Sequence, residues 1–430
     1  MLTFYSKIMA SDIARRMGSG AFWSLTGTAL GKLCILLAGI VCARILGKEG
    51  FGEFGMVRST IGMFIVMGSA GIGVTATRFI SEYRENDKSK AAAIYRLSNR
   101  FSWRAGIVIT LALLLTSPLL AEHILQAPQL SVPIRIGALL LLASILNASQ
   151  QGALSGMEDF HAIAVNTLKA SLAETALMIA GAYIWGVEGA VIGFGTGIVV
   201  LWIANQLSVR NDFRRAGIEA ASGDLGQESR RILYHYCLPA TLTALTITPA
   251  FFAIRVLLVR DCDYGELAIF EAADQWKVII LFIPTAVSNI ALPILSSMSK
   301  KPTFVRTLIA NIALVGTVAA VMAFVIGIAS PLIMPLYGTE FNNHEVLILL
   351  AISTVFSSVS SVMEMAIYSK DRMWPCFLMN LVWAILLISG CHQLLFMGYG
   401  ASAPAWAVLL SYLAKTIYMG IYIRRIHEAE

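Results

Sequence analysis

Phe51-Gly52-Glu53-Phe54 and, 213 residues further on, Tyr264-Gly265-Glu266-Leu267 stand at the head of two long apolar stretches, 53–80 and 265–297, and this pairing sets how the chain is organised. Phe160 with Asn166 returns as Trp374 with Asn380, and Trp185-Gly186 returns as Tyr399-Gly400, each 214 residues later. Three matches in one order at nearly one period, each at the same end of an apolar stretch in both copies, mark an internal repeat of half the chain.

The composition around these landmarks leaves one class. Of 430 residues, 57% are apolar and 13% charged, with a mean hydropathy of +0.73. A soluble domain carries about 25% charged residues, so half the charge needed to coat a water-facing surface is missing. This is the composition of an integral membrane protein, and disorder, a disulfide scaffold or a soluble enzyme is excluded for the whole chain. Apolar stretches at about 20–46, 53–80, 104–121, 135–156, 161–184, 189–209, 236–259, 265–297, 305–329, 345–368, 373–395 and 402–423 give twelve candidate spans. Each is read as a helix, because an isolated strand in hydrocarbon leaves its backbone unpaired and a barrel strand would alternate over about ten residues. The expected fold class is an all-α polytopic membrane protein. Its net charge of +6 would suggest nucleic acid in a soluble chain. In a membrane protein the location of the charges matters more than their sum, and no nucleic-acid partner is expected.

Lys and Arg in the short loops orient the spans. With the N-terminus inside, the inside segments hold 21 of them and the outside loops hold only Lys48, Arg135 and Arg260. Both termini are therefore expected in the cytoplasm of a bacterial inner membrane. The longest non-apolar stretch, basic at both ends (Arg210, Arg214 and Arg215, then Arg230 and Arg231), lies near the chain midpoint. The expected domains are a six-helix bundle over 1–210, a cytoplasmic linker over 211–235 and a second six-helix bundle over 236–430. Because six is even, the two copies enter from the same side. The repeat is then parallel, with a cleft between the bundles.

The first twenty residues are mixed and polar, and the first apolar stretch is too long for a signal-peptide core and lacks a small-residue cleavage site, so it is read as a retained span. Six cysteines (Cys34, Cys42, Cys237, Cys262, Cys376, Cys391) show no CxxC or Cys/His ligand spacing, and the six histidines are scattered. The cysteines are read as packing residues, and no metal or cofactor is expected. Aromatic residues near helix ends (Trp185, Tyr264, Tyr337, Trp374, Tyr399, Trp406) read mostly as a headgroup-level belt. Pro239, Pro249, Pro284 and Pro293 favour bends in the seventh and eighth spans.

Eight basic residues remain inside spans: Lys32, Arg44, Arg58, Arg78, Lys169, Arg255, Lys277 and Lys415. Four acids accompany them: Glu174, Glu271, Asp274 and Glu364. Each costs about 2.5–3.5 kcal/mol at a helix centre, so these groups cannot mostly face lipid. Arg44 and Arg255 near outer helix ends, and Arg78 and Glu364 near inner ends, read equally as snorkelling anchors or as functional groups. The others lie deeper. Glu271 and Asp274 are three residues apart and share a face that Lys277 continues one turn further. The repeat equates Arg58 with Glu271, so the two lie at equal depth, either opposed across the cleft or in separate packing salt bridges. The excess of deep cations favours an anionic cargo, with Lys32, Arg58, Lys277, Arg255 and Lys415 as candidate cavity residues. Glu271, Asp274, Glu174 and Lys169 are the candidates for ion coupling or for plain charge pairing.

The opening segment Gly18-Ser19-Gly20-Ala21-Phe22-Trp23 leads through Ala43-Arg44-Ile45-Leu46-Gly47-Lys48-Glu49-Gly50-Phe51-Gly52 to Gly71-Ile72-Gly73 and Arg78-Phe79-Ile80. With Gln151-Gly152, Gly156, Phe160 and Leu336-Tyr337-Gly338-Thr339-Glu340-Phe341, it resembles the polysaccharide transporter family. These are the Wzx-type flippases of O-antigen and other lipid-linked repeat units, within the multidrug/oligosaccharidyl-lipid/polysaccharide superfamily. The resemblance spans the chain and rests mainly on structural turns. It implies two six-helix bundles in a V, with the first, second, seventh and eighth helices bordering a central cavity. It further implies movement of an undecaprenyl-diphosphate-linked oligosaccharide from the cytoplasmic to the periplasmic leaflet by alternating access. Proton or sodium coupling and a polysaccharide polymerase as partner are left open, as is an ion-coupled drug or metabolite exporter on the same fold. A membrane polymerase or ligase is disfavoured, because the outside loops at about 122–134 and 330–344 are short and no nucleophile or carboxylate pair is placed for chemistry.

Overall fold

The computed structural model describes the backbone of residues 2–69, 71–218, 238–297, 301–368 and 372–429. Most of the expected linker, with Arg230 and Arg231, lies outside the described residues, as does Cys237. Every regular element among the described residues is helical.

Two helices carry two spans each. Helix Leu2–Ser69 breaks at Gly47, whose φ of 74° and ψ of 176° no helix accommodates, and helix Phe160–Ala216 breaks at Trp185 and Gly186. At the second break the chain doubles back so tightly that the backbones of Gly181 and Gly189 touch, leaving no room for a Cβ on either. At the first break, Gly39 lies against Gln275 while Gly52 and Gly55 lie against Tyr264 and Glu271. The residues before and after Gly47 therefore run past the same neighbouring helix in opposite directions. The second span resumes beyond Gly71 as Ile72–Tyr83, followed by Lys88–Leu119 and Ser131–Gly156. Asp87 and Asp159 start helices by accepting the backbone N–H of Lys90 and Ala162, at 3.0 and 2.9 Å, and so satisfy first-turn donors.

The second half follows with Leu238–Asp261, Tyr264–Ser297, Lys301–Ile333, His344–Tyr368, Met373–Phe396 and Ser402–Ala429, and among the described residues eight helices, the two broken ones included, are long and apolar enough to cross a membrane, as in a polytopic all-α membrane protein. The outer surface suits hydrocarbon: Leu115, Phe324, Leu332 and Phe396 are exposed. In water such a surface would be a liability; in a bilayer it is the expected contact.

The cores show how the halves meet. The largest cluster joins Phe51, Phe54 and Met56 of the first half to Leu267, Phe270, Tyr337 and Phe341 of the second. It lies towards the end of the molecule that carries the turns at Gly47 and Asp261–Tyr264. Towards the opposite end, the clusters among the described residues each belong to one half. One holds Ala76, Ile80, Ile94, Leu154 and Phe213, another Leu308, Val315, Val362 and Ala366, and a third Ile367, Cys376 and Met419. Among the described residues, the halves are thus packed together at one end and cored separately at the other. Polar contacts repeat the pattern at the joined end, where Arg44 Nε donates to the Leu336 carbonyl at 2.6 Å, Lys48 pairs with Glu266 at 3.6 Å, and the Tyr264 hydroxyl donates to the Leu125 carbonyl at 2.9 Å.

One aromatic assignment is corrected. Trp185, Trp374 and Tyr399 are exposed, as belt residues should be, but Tyr337 is buried between Phe51 and Phe341 at centroid distances of 6.0 and 5.8 Å. Its ring fills the junction and its hydroxyl donates to Gln275 Oε1 at 3.3 Å, so the phenol is satisfied without headgroups.

A Cβ at Gly52 would collide with the carbonyl oxygen of Tyr264, which is backbone and cannot swing aside, whereas at Gly62 it meets nothing within 4 Å. Gly52→Ala is therefore expected to pry the second and eighth spans apart and to lower the thermal midpoint of the detergent-purified protein by several degrees. Gly62→Ala should leave it unchanged or slightly raised, and equal midpoints for the two variants would contradict the close approach.

Candidate functional site at the junction of the halves

The eighth span presents Glu271, Asp274 and Lys277 along one face, at the three-residue spacing that stacks side chains over successive turns. Glu271 is 1% exposed, and its two oxygens are divided between two helices. Oε1 accepts from Arg255 Nε of the seventh span at 2.5 Å, and Oε2 accepts from an Arg58 guanidinium nitrogen of the second span at 3.2 Å. Arg255 also donates to Asp274 Oδ2 at 3.0 Å and to the Phe251 carbonyl one turn back at 3.1 Å. Lys277 closes the set by pairing with Asp274 Oδ1. Aromatic faces line the cations: Phe251 lies 4.4 Å from Lys277 Nζ, Phe270 lies 5.3 Å from the Arg255 guanidinium, and Phe54 lies 5.9 Å from that of Arg58.

The result is a five-charge node of Arg58, Arg255 and Lys277 with Glu271 and Asp274. A single charge left unpaired in such surroundings would be prohibitive, and pairing with several hydrogen bonds each is what makes the cluster tolerable. Three cations against two carboxylates leave one surplus positive charge. It belongs to the accessible edge of the node, because the Arg58 side chain is 25% exposed while those of Arg255 and Glu271 are 9% and 2% exposed.

The other sequence candidates are distributed differently. Lys32 is half-buried and has no hydrogen bond or ion pair among the described residues. Glu174 is buried against Gly197 with no ion-pair partner among the described residues, though near enough to Arg58 to feel its charge. Lys169 is exposed and makes no ion pair with the node. Lys415 is buried within the second half, paired with Glu364 at 2.7 Å. Arg255, read at the outset as either an anchor or a cavity residue, points inward and is fully engaged. Among the described residues no cluster of His, Cys, Asp or Glu is arranged to hold a metal ion. Sequence reasoning did not single out Gln275, Phe251 or Phe270, all of which contact or flank the node, and it placed Tyr337, whose hydroxyl reaches Gln275, in the headgroup belt. The only advance signal of the first three was their nearness along the same helices to residues already of interest.

Glu271→Gln leaves two guanidiniums without their shared anion, a loss of about 3–5 kcal/mol for breaking a buried pair, which should lower the midpoint on the order of 10 °C. Arg58→Ala leaves Glu271 still held by Arg255 and should cost only a few degrees. Thermal unfolding of the two purified variants checks the order, and a larger loss for Arg58→Ala would contradict the partner assignment.

Comparison with known proteins agrees with this architecture. A family model described as "Polysaccharide biosynthesis protein" matches residues 17–299. The EPS I polysaccharide export inner membrane protein EpsE of Ralstonia nicotianae is 22% identical over 94% of this chain and 93% of its own length. The lipid III flippase of Escherichia coli is 21% identical over 72% of this chain and 74% of its own. In fold, the chain is similar to a multidrug resistance MATE transporter of the MOP superfamily in an inward-facing conformation, with a TM-score of 0.77 at 16% identity over 95% of this chain and 98% of that one. These are an export protein, a flippase and a transporter rather than enzymes. With its family model covering well over half of the chain, this multi-pass membrane protein belongs to the polysaccharide biosynthesis protein family.

Proposed function

We propose that the protein is a flippase that carries an undecaprenyl-diphosphate-linked oligosaccharide, an O-antigen or other surface-polysaccharide repeat unit, from the cytoplasmic to the periplasmic leaflet by alternating access. The observation that carries this reading is the node at the junction, where Arg58 of the first half shares Glu271 with Arg255 of the second. A clasp between two halves whose described cores are separate towards the other end suits a carrier closed on one side. The distribution of Lys and Arg in the loops supports placing the closed end at the periplasm and both termini in the cytoplasm. On that orientation the state described is open towards the cytoplasm, where the cargo is assembled. The two units that rock against each other are the segments 1–210 and 236–430.

Charge supports the class of cargo. Arg255, Lys277 and Lys415 are satisfied by carboxylates of the chain and have little to offer a ligand. Lys32 and the accessible edge of Arg58 remain, both on the first half. Two cations without full counter-charge suit a diphosphate, which needs positive charge once stripped of water. A cationic drug would meet the wrong sign. Glu174, buried in the same half as Arg58, is the residue we assign to coupling, as an alternative anion for the Arg58 guanidinium when Glu271 departs, with a proton or a sodium ion as the coupled species.

Lys32→Ala is expected to abolish surface-polysaccharide export in cells lacking the native copy, while the purified variant keeps its thermal midpoint, because Lys32 has no partner to lose among the described residues. Lys32→Arg should retain export. Normal export by Lys32→Ala would remove this residue from the cargo path. Orientation is open to a separate test through Cys262, an exposed thiol in the turn between the seventh and eighth spans. Partial burial and the carboxylates of Glu266, Asp263 and Asp261 raise its pKa, so the reactive thiolate is scarce at pH 7 and grows as the pH rises. A membrane-impermeant maleimide should label intact spheroplasts slowly at pH 7 and faster at pH 8.5, and Cys262→Ser should remove that signal. Labelling of Cys262 only after lysis would reverse the proposed orientation.

A further inference from the structure

The second half contains a compact cation-binding arrangement one aromatic layer from the junction node, with Trp383 packed on Phe251 at a centroid distance of 5.7 Å. Lys415 lies midway along Ser402–Ala429 and is 3% exposed. Its ammonium donates to Asn380 Oδ1 at 2.6 Å and lies 2.7 Å from Glu364 Oε1. It also faces the rings of Trp383 and Tyr412, at 5.5 and 5.7 Å from their centroids. Three helices contribute: Glu364 from the tenth span, Asn380 and Trp383 from the eleventh, and Tyr412 with Lys415 itself from the twelfth. Asn380 and Trp383 are completely buried. A carboxylate, an amide oxygen and two aromatic faces converging on one point are the donor set that recognises a small monovalent cation or a primary ammonium.

The internal repeat shows that helix packing at this position does not require a cation. Asn166, the repeat equivalent of Asn380, meets neutral partners among the described residues: its amide donates to Asn205 Oδ1 and to Ser208 Oγ, each at 3.0 Å. Asn205 in turn donates to Asn147 Oδ1 at 3.3 Å. The same helix-to-helix joint is thus made by an uncharged amide network in one half and by a caged ammonium in the other. If Glu364 merely needed neutralising, a cation at the membrane interface would do so without the cost of burying both charges.

We propose that Glu364, Asn380, Trp383 and Tyr412 form a monovalent-cation site which the chain fills with its own ammonium, Lys415. The lysine is a tethered occupant, so the second half keeps its counter-cation whatever the ion content of the medium, and free sodium or potassium has no vacancy there. Emptied of the tether, the cage takes a small cation from solution: a primary alkylammonium of the length removed, or an alkali ion.

The test uses the full-length protein in detergent. Lys415→Ala removes a chain of three methylenes and the amine, and its thermal midpoint should fall by roughly 5–10 °C, as expected when a buried pair loses one member. n-Propylammonium chloride should restore at least about half of that loss, and sodium or potassium chloride a smaller part, whereas equimolar tetramethylammonium chloride, too bulky for the cage, should restore none. Adding Asn380→Leu to Lys415→Ala should abolish the recovery. Recovery that is absent, or equal for all four salts, overturns the proposal. The wild type supplies a measurement that does not depend on the variant folding. With the site already filled, none of the three small cations should raise its midpoint above the value in tetramethylammonium chloride, and a wild type stabilised selectively by any of them would contradict a filled cage.

Discussion

The carboxylate of Glu271, held between a guanidinium from each half, is the interaction on which the junction depends. Its position is possible only because the second span comes unusually close. Gly52 lies on the Tyr264 backbone, and a Cβ at Gly55 would stand 2.6 Å from Glu271 Cγ. A side chain at either glycine would separate the helices, and Arg58 would no longer reach across. Conversely, without Arg58 the close approach would bury Glu271 with Arg255 alone against the first half. Backbone proximity and charge pairing therefore support each other. The aromatic packing of Phe51, Tyr337 and Phe341 beside them keeps water from weakening the pair.

Counting which charges are already spoken for changes the meaning of the basic surplus. Eight cations within spans first suggest a strongly positive interior. Arg255 and Lys277 are absorbed by Glu271 and Asp274, Lys415 by Glu364, and Arg44 by the carbonyl of Leu336. The other four, Lys32, Arg58, Arg78 and Lys169, all lie on the first half, and Arg58 among them already shares Glu271. A modest positive surface of this kind can bind a charged headgroup and release it again, which a carrier must do; a cavity with all eight cations bare would hold a diphosphate too tightly to let go.

Much of the fold was legible in the sequence because the bilayer imposes length and composition on every crossing, and because turn residues leave marks. Gly47, Gly186 and Gly400 were visible as turn glycines between apolar stretches, and all three adopt positive φ. The offset of the repeat put Arg58 and Glu271 at equal depth, and their contact is seen in the structure. What the sequence did not carry was direction around the helix axis. Arg255 sits close enough to a helix end to snorkel, and its position gives depth but not azimuth. Only the packed neighbours show that it turns inward to two carboxylates. Tyr337 was misread for the same reason, since a tyrosine at a helix end suits the headgroup belt until a partner half covers it. The Lys415 cage draws on the tenth, eleventh and twelfth spans at once, and no spacing rule on a single helix announces it.

The sharing of charge between the halves also gives the node a direction. The first half supplies only a cation to the contact, Arg58, while the second supplies two cations and two carboxylates that satisfy one another without it. Separation at this end would therefore leave the second half neutral and internally paired, and would leave a bare guanidinium on the first. Within the node the electrostatic cost of opening falls almost wholly on Arg58, beside the more exposed Lys48–Glu266 pair, which opening also breaks. An anion able to reach that guanidinium lowers the cost by taking the place of Glu271, and there are two such anions on the proposed cycle, the Glu174 carboxylate of the same half and the diphosphate of the cargo. A ligand shifts a conformational equilibrium only by binding one state better than the other, and a diphosphate that pairs with Arg58 only once Glu271 has let go meets that condition. Opening towards the far side would then be tied to the presence of cargo by the same ion pair that keeps the empty carrier shut.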